Sequence, residues 1–530
     1  MKYWLILLAF FSTARAQVWV PDNGDGTYRN PVLYADYSDP DVIRAGTDYY
    51  LVSSSFEHAP GLPILHSKDL VNWTIIGHAL QRQVPDEHFS LTRHGEGVWA
   101  PAMRYHNKEF YIYYPDPDFG IYMVKAKDPA GAWSDPVLVT GGKGLIDPCP
   151  LWDDDGKAYL VHAWAGSRAG IKSVITIKKM NSEGTKTLDD GVLVYDGHDT
   201  DPTIEGPKIY KRNGYYYILA PAGGVTTGWQ LALRSKNIYG PYERKVVMDQ
   251  GKTSINGPHQ GGWITTPTGE DWFMHFQDKG AYGRVVHLQP MKWVNNWPVI
   301  GVDNDHDGKG EPVLQYRKPN TTVTIPTAPA TSDEFNATSI GKQWQWQANP
   351  KGTWAFADAA SGKLRLFSDK LPDSAKNLWD AANLLLQKIP AEECTFTTKL
   401  SFRPNGKIEN ERCGLVVMGM SYAAITLKYN KGKTKLAYVS CLGAEKGKQE
   451  TEKILTDYNG GDIYLRAQIS KGAKCVFSYS SDNKTFTEVS DTFTAEPGRW
   501  TGAKVGLFCS RPSQINDSGF ADVDWFRVTK

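Results

Sequence analysis

The stretches DYYLVS (48–53), EFYIYY (109–114), KAYLVH (157–162), YYYILA (215–220) and DWFMHF (271–276) repeat one grammar of aromatic and aliphatic residues. Such side chains fit a pleated, half-buried surface. In register they align Tyr50, Tyr111, Tyr159, Tyr217 and Phe273, at spacings of 61, 48, 58 and 56 residues. Four of the five follow a turn signal, among them Gly46-Thr47-Asp48, Asp155-Gly156-Lys157 and Asn213-Gly214, as the second strand of a hairpin does. A further strand and turn stand behind most of them, as in ILHSKDLVNWTII from Ile64 and LALRSKNIYGPYERKVV from Leu231. A self-similar unit of about 55 residues built from three or four antiparallel strands is a propeller blade. Five units between about residues 25 and 310 therefore predict a five-bladed β-propeller.

Beyond Lys318 the grammar changes. KPNTTVTIPTAPATSDEF, rich in Pro and Thr, reads as a linker. Alternating strands such as TFTTKLSF, CGLVVMGM, YAAITLKY and ADVDWFRV then run to the end without the 55-residue period, which predicts a β-sandwich. The fold class is all-β, with a propeller over 17–325 and a sandwich over 331–530.

Composition narrows the function classes. The 530 residues carry 59 Lys+Arg against 58 Asp+Glu, a net charge of +1 spread along the chain. No field gathers phosphates or anionic lipid, so nucleic acid and membrane surfaces are not expected partners. Residues 1–16, MKYWLILLAFFSTARA, set Lys2 before an apolar run and end on Ala14-Arg15-Ala16. This reads as a secretory signal with no lipoprotein cysteine after it, so the mature protein is expected in the periplasm or outside the cell. The six cysteines include no C-x-x-C pair and make no disulfide scaffold; one or two bridges after residue 390 and free buried thiols are both open.

At the head of each unit's first strand, where a propeller lines its central channel, stand Asp39, Trp99, Asp147, Glu205 and His259. Each lies beside a proline, as in Asp39-Pro40, Asp147-Pro148, Glu205-Gly206-Pro207 and Pro258-His259. Three carboxylates, an indole and an imidazole converging on one axis make a site, since a core would exclude them. Like charges in a partly dry cavity push at least one pKa upward. A neutral acid beside an ionised base is what glycosidic hydrolysis needs. By reach and position Glu205 suits the acid, Asp39 the base and Asp147 the orienter between them.

Several segments carry a resemblance: SDPDVIRAGTDYYLVSSSFEHAPGLPILHSKDLVNW, GVWAPAMRYHNKEFYIYY, GLIDPCPLWDDDGKAYLVHAWAG, IEGPKIYKRNGYYYILAPAGG and YGRVVHLQPMKW. Together they resemble the blade motifs of the family 43 glycoside hydrolases. The tail from SDEFNATSIGKQWQWQANP resembles the concanavalin-like sandwich of that family's β-xylosidase and α-L-arabinofuranosidase branch. The resemblance implies inverting, exo-acting release of terminal pentose from plant cell-wall polysaccharide or its oligosaccharides, xylan or arabinan. It makes Asp39 the general base, Asp147 the pKa modulator and Glu205 the general acid. It gives Trp99 and Phe56 as sugar-facing walls, Arg284 as a donor to sugar hydroxyls, and His259 as a histidine under the site, often near a water or a cation. No cofactor is required, and the metal expectation stops at a structural calcium near His259. His58 departs from a Trp often found there, which bears on the leaving group. A non-catalytic sugar-binding propeller and an endo-acting arabinanase with an open groove stand as alternatives.

Two further expectations follow. Family members of this build wall off the pocket with a sandwich loop, and Phe508-Cys509-Ser510 is expected to supply it. Asp303, Asp305, Asp307 and Gly308 mimic the start of an EF-hand loop, but Leu314 at the twelfth position offers no carboxylate, so a surface turn is the expected reading.

Overall fold

Each hairpin read from the sequence is part of a four-stranded antiparallel sheet in a computed structural model that describes residues 17–321 and 324–530. Residues 1–16, the expected secretory signal, lie outside the described residues. The five sheets run in chain order: Asp41–Ala45 to Trp73–Leu80, Ala102–His106 to Val137–Gly141, Leu145–Trp152 to Val192–Asp196, Lys208–Arg212 to Glu243–Met248, and His259–Thr265 to Trp297–Ile300. All five register aromatics fall on the second strand of their sheet. The innermost strand of the first sheet lies against those of the second and the fifth, which closes the ring. Thr27–Arg29 pairs with Gln315–Arg317 beside that junction and brings the two ends of the propeller segment together.

Local chemistry explains the hairpins. Between Arg212 and Tyr215 the two turn residues Asn213 and Gly214 sit at φ 50° and 74°. Both central residues of a type I′ turn need positive φ, which Asn and Gly adopt at least cost. The second blade makes the same turn with Asn107 and Lys108, at φ 50° and 63°. It is the one hairpin whose glycine-free turn gave no strong signal in the sequence.

The C-terminal part stacks two antiparallel-dominated sheets. One runs through Leu384–Lys388, Lys504–Arg511, Arg412–Met418 and Tyr422–Asn430; the other runs through Phe520–Thr529, Cys394–Arg403 and Ile463–Ser470. Leu415, Ile425 and Val505 on the first face Phe396, Leu465 and Phe526 on the second, in one buried core. The six cysteines are all free and buried, with Cys413 and Cys509 directly opposite each other on neighbouring strands.

That core does not stop at the sandwich. Val18, Tyr34, Ala281, Tyr282 and Val285 of the propeller segment belong to the same cluster. The Tyr282 hydroxyl donates toward the carbonyls of Glu392 (3.0 Å) and Ser470 (3.1 Å) and accepts from the Ala473 N–H at 2.9 Å. Ala59 and Trp346 exchange main-chain hydrogen bonds of 3.0 and 2.6 Å across the seam. An interface this apolar leaves a sticky face when cut. Residues 17–325 expressed alone are therefore expected to aggregate, as read by size exclusion with light scattering; a monodisperse monomer would contradict this.

Candidate active site

Two of the five first strands contain a local reason for their head residues to turn inward. Asp147-Pro148 interrupts the first strand of blade three with a bulge between Ile146 and Cys149. Gln260 does the same in blade five, between His259 and Gly261. A bulge bends the strand and re-aims a side chain that ordinary alternation would send between the sheets. Positive φ recurs at the same place: Asp39 (52°), Phe56 (51°), Asp147 (56°), Thr203 (62°), Gln260 (30°) and Trp500 (65°). Asp tolerates this region, but for Phe and Trp it is an outlier that costs about 1–3 kcal/mol and persists only where the surroundings over-determine it. All six residues line one pocket.

Asp39, Phe56, Trp99, Asp147, Glu205, His259 and Arg284, the seven side chains singled out in the sequence, line that same pocket, whose cavity is about 240 Å³. Asp39 is nearly inaccessible, and both its oxygens are held: Oδ1 accepts from Arg284 Nη1 at 2.8 Å and Oδ2 from the Ser54 hydroxyl at 2.5 Å. Asp147 Oδ2 accepts the Gly206 N–H at 2.8 Å, which fixes it to the main chain beside Glu205. Burial, then the neighbouring Glu205 carboxyl, pushes the Asp147 pKa well above the usual carboxylate range. Glu205 is more open, and its Oε1 meets His259 Nε2 at 2.8 Å. Its second oxygen has no protein partner among the described residues.

Aromatic rings form the walls. Phe56 and Trp99 lie 6.5 Å apart at 60°, and the Trp99 indole is fixed by a 2.9 Å bond from Nε1 to the Gly95 carbonyl. Below the site the channel is plugged by charge: Arg104 donates to Asp41 Oδ2 (2.8 Å) and to the Cys149 sulfur (2.6 Å), while Lys208 Nζ reaches the Pro101 carbonyl at 2.8 Å. The pocket is thus blind at its floor and open at one end.

The sandwich does reach this mouth, but not where the sequence reading put it. Phe508, Cys509 and Ser510 lie inside the strand Lys504–Arg511, paired with Leu384 on one side and Gly414, Cys413 and Arg412 on the other. The run VGLFCS has strand composition and no turn residue, so it builds the sheet. The loop is Pro497-Gly498-Arg499-Trp500-Thr501-Gly502, whose Pro and two Gly were the turn signal. Trp500 stands edge-on to Trp99 at 6.1 Å, with about half its surface exposed at the pocket. Sequence reasoning also missed Thr203 and Gln260. His58 does not line the pocket; it is buried beside Glu57, with Nδ1 3.2 Å from the Ser55 carbonyl.

The metal expectations separate. Among the described residues His259 Nδ1 is buried without a hydrogen-bond partner, and His259 stands in no group of three or more possible metal ligands. Among the described residues such a group is formed by Asp303, Asp305 and Asp307, whose oxygens lie within 4.8 Å of one another. Lys309 Nζ bridges Asp307 (3.0 Å) and Asp249 (2.8 Å) beside it, and Leu314 at the twelfth position faces solvent.

The chain as a whole is similar to known proteins along nearly all its length. Residues 332–529 match the Beta xylosidase C-terminal Concanavalin A-like domain. A Beta-xylosidase of Formosa agariphila is 34% identical over 95% of this chain and 90% of its own length. A Non-reducing end alpha-L-arabinofuranosidase of Bacteroides ovatus is 28% identical, over 94% of both chains. A solved family 43 protein of Bacillus licheniformis superposes with a TM-score of 0.80 at 28% identity, over 95% of this chain and 99% of its own. With residues 28–298 matching the family model itself, in addition to the sandwich, the chain belongs to the glycosyl hydrolases family 43.

Proposed function

We propose that the enzyme is an exo-acting, inverting glycosidase that releases a single terminal pentose, a β-D-xylosyl or α-L-arabinofuranosyl unit, from plant cell-wall saccharides. The observation that carries this is the closed end of the pocket. Its cavity of about 240 Å³ is lined by the three carboxyl groups and by the rings of Phe56, Trp99 and Trp500. A plugged floor and the Trp500 wall suit a chain end and leave no groove for an internal segment, which disfavours an endo-acting arabinanase. The retained carboxyl groups disfavour a purely binding propeller. Residues 1–16 support a place of action outside the cytoplasm.

In this reading Glu205 gives its proton to the glycosidic oxygen while Asp39 takes one from a water attacking the anomeric carbon from the opposite face. The C–O bond to the leaving group breaks as the C–O bond to water forms, and the two carboxyl groups exchange protonation states until solvent resets them. Arg284 orients Asp39 by a charge-assisted bond. Asp147, whose pKa burial and then Glu205 push up to about 7, retains a proton beside the acid far more readily than an ordinary carboxyl. His259 holds Glu205 Oε1, so that Oε2 faces the substrate. The rings of Phe56, Trp99 and Trp500 cover the C–H faces of the sugar.

The test is stereochemical. Proton NMR of the first-formed sugar from an aryl xyloside and an aryl arabinofuranoside is expected to show inverted anomeric configuration, with mutarotation following. Retention would rule out the mechanism, and turnover of neither pentoside would rule out the substrate class.

A further inference from the structure

Three residues before the base in sequence lies a carboxylate that takes no part in the reaction just described. Asp36 is buried, and its hydrogen bonds reach in two directions. Oδ1 accepts the main-chain N–H of Arg284 at 2.9 Å and the Ser38 hydroxyl at 3.0 Å. Oδ2 accepts the main-chain N–H of Gly502 at 2.9 Å, from the sandwich loop that carries Trp500. The first arm ends on the base, because Arg284 Nη1 is the donor to Asp39. The second ends on the aromatic wall two residues away.

Two glycines make this close approach possible. A Cβ on Gly283 would stand 2.4 Å from Asp36 Cγ, and one on Gly502 would stand 2.6 Å from the Gly283 nitrogen. Ala503 then anchors the loop through a 2.7 Å bond from its N–H to the Ala281 carbonyl. Burial raises the Asp36 pKa, but Lys388, Lys504 and the two N–H donors outweigh it and keep the carboxyl below its ordinary value. An ionised acceptor makes the stronger bonds that such a junction needs.

We propose that Asp36 is a positioning residue that ties the placement of the catalytic base, through Arg284, to the closing of the pocket by Trp500. The proposal rests on the assignment of Asp39 as base. It gives the second domain a role beyond covering an apolar face: its loop docks on the same carboxylate that sets the arginine of the base. A loop displaced from Asp36 loosens the wall and the base together.

A double-mutant cycle in the full chain tests this, with Asp36→Asn, Trp500→Ala and the pair assayed on an aryl pentoside while thermal unfolding is recorded. Asn offers a single acceptor oxygen, so one of the two N–H groups faces an amide donor instead. Asp36→Asn is expected to raise KM about tenfold and lower kcat about tenfold, the scale on which small misplacements act. Trp500→Ala raises KM. In the double variant the KM increase is no larger than that of Trp500→Ala, because the wall that Asp36 holds is gone, while the kcat loss persists through Arg284. A residue with a merely structural role lowers Tm and active fraction, leaves KM alone, and combines with Trp500→Ala by simple multiplication. If Asp36→Asn fails to fold, Gly502→Ala, which lifts the loop from Asp36 and keeps the charge, is expected to raise KM more than it lowers kcat. Multiplying KM effects, or an unchanged KM in Gly502→Ala, overturn the tie. Substantial turnover by Asp39→Asn would instead overturn the base assignment, so the two failures are told apart.

Discussion

Asp39→Asn is expected to reduce turnover by about 10²–10⁴-fold on aryl pentosides and natural oligosaccharides alike. The loss is equal on both because water must be activated whatever leaves. A good leaving group relieves the need for an acid, not for a base. The substitution is also gentle on the fold. Its amide oxygen can still accept from Arg284 Nη1, and its amide nitrogen can donate to the Ser54 hydroxyl that now donates to Asp39. Removing the side chain altogether, as in Asp39→Ala, would strand a buried guanidinium at a cost of about 3–5 kcal/mol and confuse loss of chemistry with loss of structure. Steady-state kinetics on both substrate kinds, beside a thermal melt, decide the matter. Retention of more than about a tenth of the activity would move the base to another group.

Why the base was legible and the wall was not follows from the kind of pattern each leaves. Asp39, Trp99, Asp147, Glu205 and His259 occupy equivalent places in a repeat. The period that predicted blades therefore also predicted their convergence. Phe56 and Arg284 lie outside that repeat and came from the family motifs alone. Thr203 and Gln260 left no comparable mark. Gln260 lines the pocket because a bulge shifts the register after His259, and a one-residue slip cannot be read from composition. Trp500 comes from a domain without internal period, and its position depends on how two folded units dock. The sequence did contain a local signal in Pro497, Gly498 and Gly502. The apolar run at 506–509 drew attention away from it, although runs of that composition build strands.

Glu205→Gln is expected to separate substrates by leaving group, and that separation is what identifies an acid. An aryl pentoside whose phenol leaves readily as its anion needs little protonation, so kcat/KM on it is expected to fall by no more than about tenfold. A xylo- or arabino-oligosaccharide leaves as an alkoxide unless it is protonated, and there the loss is expected to reach about 10²–10⁴-fold. Gln keeps an oxygen that can accept from His259 Nε2, as Glu205 Oε1 does at 2.8 Å, so the side chain is not freed to swing. The same change removes the carboxyl that helps burial raise the Asp147 pKa, which lets Asp147 ionise at lower pH than in the parent. A neutral amide therefore replaces one acid while its neighbour, still raised by burial, holds its proton less firmly than in the parent. Equal losses on the two substrate kinds would show that Glu205 binds or orients instead of donating. The next candidate would then be Asp147, the carboxyl in the pocket whose pKa burial and then Glu205 push up to about 7.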